Sequence, residues 1–352
     1  MVLLKVSIFF IIVFNFFSCA KLGYIVEQGQ GQISLLMNSR DNQKILEDPN
    51  IKNDIKEKIK LIEKYKLFFF NYFDQKPNDI YSETTFLKNK AVTYLVIRSP
   101  YDKIKASKEC FPFVGCFPYL GFFSKKSAVK YKNEWAKKGY YTYMRDVYAY
   151  STLGNFEDRI LSSFFYYDNY QLAELIFHEL FHTIFFVKND VKLNENLANF
   201  IGKELVKLYF KTSTKLVQKH FDNQKVSRTI SIKINQLISE YKVILSKNQP
   251  NSKGQSDLLL NKFIASRFNN EMLKTCHHLK LKKCYPIKKK WDNAKFAAMG
   301  TYEAEQKYIN KLFNKSDKNV AKLYNFLKSN LKTYNNTEKN ISFSSYLNNL
   351  SI

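Results

Sequence analysis

The chain has 352 residues, 45% hydrophobic and 25% charged, a composition that excludes disordered, collagen-like and linker-like classes and leaves enough apolar surface for a buried core. Fifty-six Lys and Arg against 31 Asp and Glu give a formal charge of +25, which raises the question of a polyanionic partner. The lysines are spread among Asn, Ile, Tyr and Phe, and the densest stretch, 280–290, fits no nucleic-acid-binding motif, so no nucleic-acid partner is expected.

The first 18 residues carry an early Lys5 and then an apolar run from Val6 to Phe17, broken only by Ser7 and Asn15. This is the layout of a signal peptide, and the run is too short to span a bilayer comfortably. It ends in Phe16-Phe17-Ser18-Cys19, which resembles a bacterial lipobox, with Ser18 and Cys19 in pattern and two bulky residues before them. The expectation is a lipoprotein-type signal peptide over 1–18, with the body attached to a membrane through a lipidated Cys19. An ordinary secretory signal and an uncleaved anchor are the other readings. Each places the body outside the cytoplasm, and anchoring through Cys19 places it in the bacterial cell envelope, facing the periplasm.

From Gly23 to about Phe73 the pattern is helical and amphipathic, with a break at Asp48-Pro49, where proline starts a helix more readily than it continues one. The β-branched run 91–97 predicts a strand, and 140–150 a second. Between them lie a turn bounded by Cys110 and Cys116 and a Lys-rich helix over 124–138. From Tyr170 onward the periodicity is helical, interrupted at 246–256 by a predicted loop, a candidate lid, and followed by a polar tail over 333–352. The fold class is therefore α+β, predominantly helical, with a small sheet ahead of the main helical region. Lipidation of Cys19 leaves four cysteines, and local spacing permits disulfides Cys110–Cys116 and Cys276–Cys284 as well as free thiols.

The chemistry concentrates at His178-Glu179-Leu180-Phe181-His182, an HExxH sequence inside an apolar segment that reads as a buried helix. Imidazoles four residues apart share one helix face, so His178 and His182 can bind one metal ion with Glu179 beside it. Catalytic zinc usually keeps three protein ligands and an open position. His220, His277 and His278 lie in polar, unpatterned surroundings, whereas Glu195 opens the next predicted helix after room for a turn, and is the better third ligand. Glu174, one turn before His178, is a candidate to orient it, with a surface glutamate as the plainer reading. Asn199 is a weaker candidate for the same work.

Several segments together resemble the predicted aminopeptidase family of bacterial zinc-peptidase-like lipoproteins. They are Gly23-Tyr24 with Gln30-Gly31-Gln32, the stretch from Cys110 to Cys116, Ala149-Tyr150-Ser151-Thr152-Leu153-Gly154, Phe177-His178-Glu179-Leu180, and Asn194-Glu195 with Ala198. Asn293-Ala294 and Thr301-Tyr302-Glu303 match its C-terminal part more weakly. Phe181 and Thr183 depart from it, since the family more often has Ala and Gln there, and Phe181 is placed to narrow the site. The resemblance implies a single zinc-peptidase-like domain over 19–332 with a zincin-like metallopeptidase core, one zinc ion per chain and a peptide substrate.

The implied reaction is amide hydrolysis, with Glu179 as general base and then acid. Tyr150 is the first candidate for an oxyanion donor and Tyr302 the second. An aminopeptidase also needs a carboxylate for the substrate's α-ammonium, for which Glu157 and Asp158 qualify by proximity to the Tyr150 segment. An open edge on the strand running toward Tyr150 is a candidate holder of extended peptide. A zinc endopeptidase and an inactive metal-binding envelope lipoprotein are the alternative functions.

Overall fold

A computed structural model describes residues 19–111, 115–148, 158–188, 190–211, 215–299, 306–336 and 341–350. The fold is α+β and mainly helical, and the described residues form two three-stranded sheets and a two-stranded hairpin. Helix α1 (Cys19–Met37) leads into β1 (Ser39–Asp41), which pairs antiparallel with β2 (Glu83–Thr85). Between these strands lie α2 (Asn42–Glu47), which stops just ahead of Pro49 at the expected break, and α3 (Asn53–Tyr72).

The second sheet is centred on β3 (Thr93–Ser99), all seven residues of which are buried. Alternation of side chains explains this, since the two faces of a strand can serve two different cores. Tyr94 and Val96 pack with β6 (Leu120–Phe122) and with Ala128 of α4 (Lys125–Lys137), whereas Leu95 and Ile97 face a helical layer. Strand β7 (Tyr141–Val147) pairs antiparallel with β3 and lies at the sheet's edge. The hairpin of β4 (Glu109–Phe111) and β5 (Gly115–Phe117) places Cys110 opposite Cys116, and the two form a disulfide. A second disulfide joins Cys276 to Cys284.

Strand β8 (Ile160–Leu161) runs parallel to β2 and feeds a 3-10 turn and then α5 (Asn169–Ile184). Helix α5 is the centre of the larger core: Leu172, Ala173, Ile176, Phe177, Leu180 and Phe181 are wholly buried. They pack against α3, α6 (Val191–Tyr209) and the later helices. Helix α7 (Lys215–Asn248), 34 residues and so about 51 Å long, reaches this core through Phe221 and the sheet-side core through Ile234, Leu237, Ile238, Tyr241 and Leu245. The sheet-side core is completed by α8 (Lys253–Phe263), α9 (Asn269–His278), α10 (Tyr285–Lys288) and α11 (Asn293–Met299). The chain returns to the α5 core with α12 (Gln306–Lys315), α13 (Val320–Asn335) and α14 (Phe343–Asn349).

Two sequence expectations need correction. The predicted loop and candidate lid at 246–256 shrinks to 249–252, because α7 continues to Asn248 and Ser252 caps α8 by accepting a hydrogen bond from Gln255 N. The segment 333–352 is not a tail with little to bury. Helix α13 runs to Asn335, and α14 sends Phe343 and Leu347, one turn apart, wholly into the core.

Candidate metal centre

The HExxH helix is fixed at both ends. At its start Asp168 and Gln171 form a reciprocal capping box: Gln171 N donates to Asp168 Oδ1 at 2.8 Å and Asp168 N donates to Gln171 Oε1 at 3.3 Å. It stops at Phe185, which is extended. The chain is then clamped by Asn194, whose Oδ1 accepts from Val187 N at 2.9 Å while its Nδ2 donates to Val187 O at 2.8 Å. Asp190 caps α6 by accepting from Leu193 N, and its second oxygen accepts from Ser344 N of α14. The turn between the two helices is therefore held from three sides, and Glu195 sits one residue beyond the clamp.

Close approach of α5 and α6 depends on Gly202. A Cβ at that position would lie 3.0 Å from Glu174 O, 3.4 Å from His178 N and 3.6 Å from His178 Cβ. With no Cβ, α6 lies directly against the backbone that carries the first histidine.

The result is a convergence of donor atoms. His178 Nε2 and His182 Nε2 are 3.2 Å apart, and the Glu195 carboxylate oxygens lie 3.6 Å from the first and 3.5 Å from the second. His182 forms the back, with 2% of its side chain exposed, His178 has 14%, and Glu195 at 35% stands toward solvent. His178, Glu179 and His182 make a group able to hold a metal ion, their ligand atoms all within 4.8 Å of one another. The spacing fits such an ion: tetrahedral zinc with bonds of about 2.0–2.1 Å separates neighbouring ligand atoms by roughly 3.4 Å. Two imidazole nitrogens and a carboxylate turned toward one point are also the donor set that a divalent cation satisfies.

The electrostatics follow from burial and crowding. Burial works to raise the Glu195 carboxyl, but the hydrogen bonds and charges of His178 and His182 outweigh it and hold the group at about 2. For His178 burial disfavours the charged form, yet Glu195, Glu179 and Glu174 together lift its pKa above the ordinary imidazole value. Glu179 is pushed up from the usual carboxylate range by burial, with His178 and His182 opposing and Glu195 and Asp158 adding to the rise.

The chain from Gly23 almost to its end falls within one known sequence family, described as "Putative aminopeptidase", which matches residues 23–342. The chain belongs to that family. No curated protein and no solved structure matches it. The family name points to a peptidase.

The structure brings the sequence-predicted His178, His182 and Glu195 together, with Glu179 in the same group. Tyr150, Tyr302 and Glu157 lie outside the described residues. Asp158 is buried, and its carbonyl accepts from Tyr81 N at 2.8 Å. Glu174 does not turn toward solvent, and no hydrogen bond joins it to His178 among the described residues. Instead Glu174 Oε2 faces His220 Nε2 at 3.2 Å and accepts from Gln224 Nε2, tying α5 to α7. His220, expected in polar surroundings, is mostly buried beside Tyr170. Asn199 donates to Glu195 O within its own helix, and Phe181 packs into the core against Phe73, Phe185 and Tyr324.

Four residues escaped the sequence reading. Asn194, Asp190 and Gly202 position the second helix; an Asp just ahead of a helical run is a readable cap, whereas the clamping role of Asn194, named before only within a matching segment, and the role of Gly202 carry no local signal. Tyr81 is the fourth: it is buried at φ +62, a conformation that bulky side chains rarely adopt. It is pinned there by its N–H on Asp158 O and by Asn42 Nδ2 donating to its carbonyl at 2.7 Å. Burial, then the charges of Glu179 and Asp158, raise its hydroxyl pKa well above the ordinary value.

Proposed function

We propose that the chain is a zinc-dependent aminopeptidase, built as a single zinc-peptidase-like domain with a zincin-like core, and tethered in the bacterial envelope, facing the periplasm, through a lipidated Cys19. The observation that carries the reading is the convergence of His178 Nε2, His182 Nε2 and the Glu195 carboxylate within 3.2–3.6 Å, with Glu179 adjacent. When bound there, zinc supplies Lewis acidity, polarising a carbonyl and making water acidic near neutral pH.

The remaining work falls to side chains. His178 and His182 present their Nε2 atoms from one helix face, and Glu195 supplies an anionic oxygen from the facing helix. Glu179 is not needed as a ligand; its carboxylate takes the proton from the attacking water and delivers it to the leaving amine nitrogen. Burial, which raises its proton affinity, suits it to the first transfer. Asp158, buried just after the Tyr150 segment, is the carboxylate we assign to the substrate's α-ammonium on the sequence argument. Tyr150 keeps its assignment as oxyanion donor on the sequence argument alone.

The test is cleavage of paired peptides that differ only in a free or acetylated amino terminus, followed by mass spectrometry, with Glu179→Gln as control. Stepwise loss of residues from the free peptide alone, absent in the control, is the expected result. Internal cuts in both peptides would make the enzyme an endopeptidase, and no cleavage in either would favour an inactive metal-binding protein.

A further inference from the structure

Helix α1 has two unlike faces. One is committed to the body: Tyr24 stacks on Phe111 at 5.3 Å, Glu27 Oε1 accepts from Ser124 N at 3.1 Å, Gly31 lies against Phe123, and Leu35 O accepts from Thr85 Oγ1 at 2.9 Å. These contacts fix the rotation of the helix about its axis. The opposite face carries Ile25, Val26, Ile33 and Met37, exposed by 41%, 50%, 56% and 80%. At 100° per residue these four fall within a third of the helix circumference, so they form one stripe.

The stripe is anomalous for this chain. Lys and Arg make up 56 of its 352 residues, yet 22–37 contains neither, and the one acid there, Glu27, faces the body. Exposed apolar side chains scattered singly need no explanation, but an uncharged apolar stripe on an oriented helix does. No described helix is long and apolar enough to cross a membrane, and α1 with its Glu and Gln residues is too polar to do so. A helix with one apolar face can instead lie in the headgroup layer.

We propose that the Ile25–Val26–Ile33–Met37 face of α1 rests on the lipid bilayer, holding the body in a fixed orientation at the membrane surface. This goes beyond the catalytic reading and rests on the membrane attachment proposed with it. Continuity names the occupant: the described part of α1 reaches back to Cys19, so a chain tethered to lipid at Cys19 meets the membrane first along this helix. Acyl chains on Cys19 would hold the chain at the membrane but leave the body free to rotate about the tether, and a second contact along α1 is what fixes its orientation. The surplus positive charge of the body favours an anionic lipid surface.

The test uses the full chain, reconstituted in vesicles of phosphatidylethanolamine and phosphatidylglycerol, with an environment-sensitive nitrobenzoxadiazole label on Ile33→Cys, on Met37→Cys or on the control Leu258→Cys. Leu258 is exposed on α8, and the four other cysteines of the body are paired in disulfides. The expected result is a blue shift at 33 and 37 that lipid-borne doxyl groups quench, with neither effect at 258. An aqueous spectrum at 33 and 37 on vesicles overturns the proposal. A blue shift that doxyl lipid leaves unquenched overturns it too, since protein would then cover the stripe, either a second copy or the segment 1–18. Mass spectrometry of the Cys19 peptide reads acylation separately, and quenching at 33 with unacylated Cys19→Ser protein and added vesicles would still support the face itself.

Discussion

Replacing Gly202 with valine tests whether the metal centre depends on the close seating of α6 against α5. A Cβ there already meets Glu174 O at 3.0 Å, several tenths of an ångström inside ordinary contact, and valine adds two methyl groups against the same backbone. Overpacking of this kind costs about 1–3 kcal/mol, from which about 0.3 kcal/mol is recovered because valine is a better helix former than glycine. The net loss is about 1–2.5 kcal/mol in urea unfolding of the metal-free protein. Separation of the helices also draws Glu195 away from His178 and His182, and zinc affinity measured by competition with a chromogenic chelator falls about 10–100-fold, the range seen when residues that orient metal ligands are changed. In Gly202→Ala the contact penalty is offset by about 1 kcal/mol of helix propensity, so this variant stays near the parent in both assays. A valine variant of unchanged stability and unchanged zinc affinity would refute the reasoning.

Glu174→Ala removes the carboxylate that Gln224 Nε2 donates to and His220 Nε2 faces, leaving those two only their contact with each other, and lowers stability by about 1–3 kcal/mol in urea unfolding, while zinc affinity holds because the acid bonds to α7 and not to His178; a large loss of zinc affinity would overturn that assignment. Phe343→Ala empties a wholly buried site and costs about 3–5 kcal/mol by the same measurement, whereas a tail residue would cost nearly nothing. Glu271, held at about 2 by Lys233 first and then Lys274, has a folded pKa below its unfolded one. Its contribution is complete above about pH 4.5 and is lost as the pH falls toward 2. The free energy of unfolding should fall less steeply across that window in Glu271→Gln than in the parent, and identical acid limbs would count against the ion pair.

The candidate site was legible in the sequence to the extent that one helix carries it. Histidines at i and i+4 in a segment apolar on nearly every face announce a buried helix with a polar exception, and α5 has that form. Glu195 was readable because the spacing from His182 leaves room for a turn and a returning helix. What holds the two helices together was not readable. Asn194 acts through bonds to Val187 that exist only once the turn is folded, and Gly202 matters only because Glu174 and His178 lie opposite it. Strands β1, β2 and β8 have two or three residues each, too short for a period of two to show. The C-terminal region misled through its composition: Asn and Ser dominate 333–352, but the apolar pair Phe343 and Leu347 at helical spacing is what packs.

The most direct test of the central claim is the zinc K-edge absorption spectrum of the purified full chain, taken with its metal stoichiometry. The account predicts one zinc per chain with a first shell of nitrogen and oxygen at about 2.0–2.1 Å and the scattering signature of two imidazoles. Both must be lost in a His182→Ala variant. Sulfur at about 2.3 Å, or no zinc retained at stoichiometric level by the parent, would contradict it.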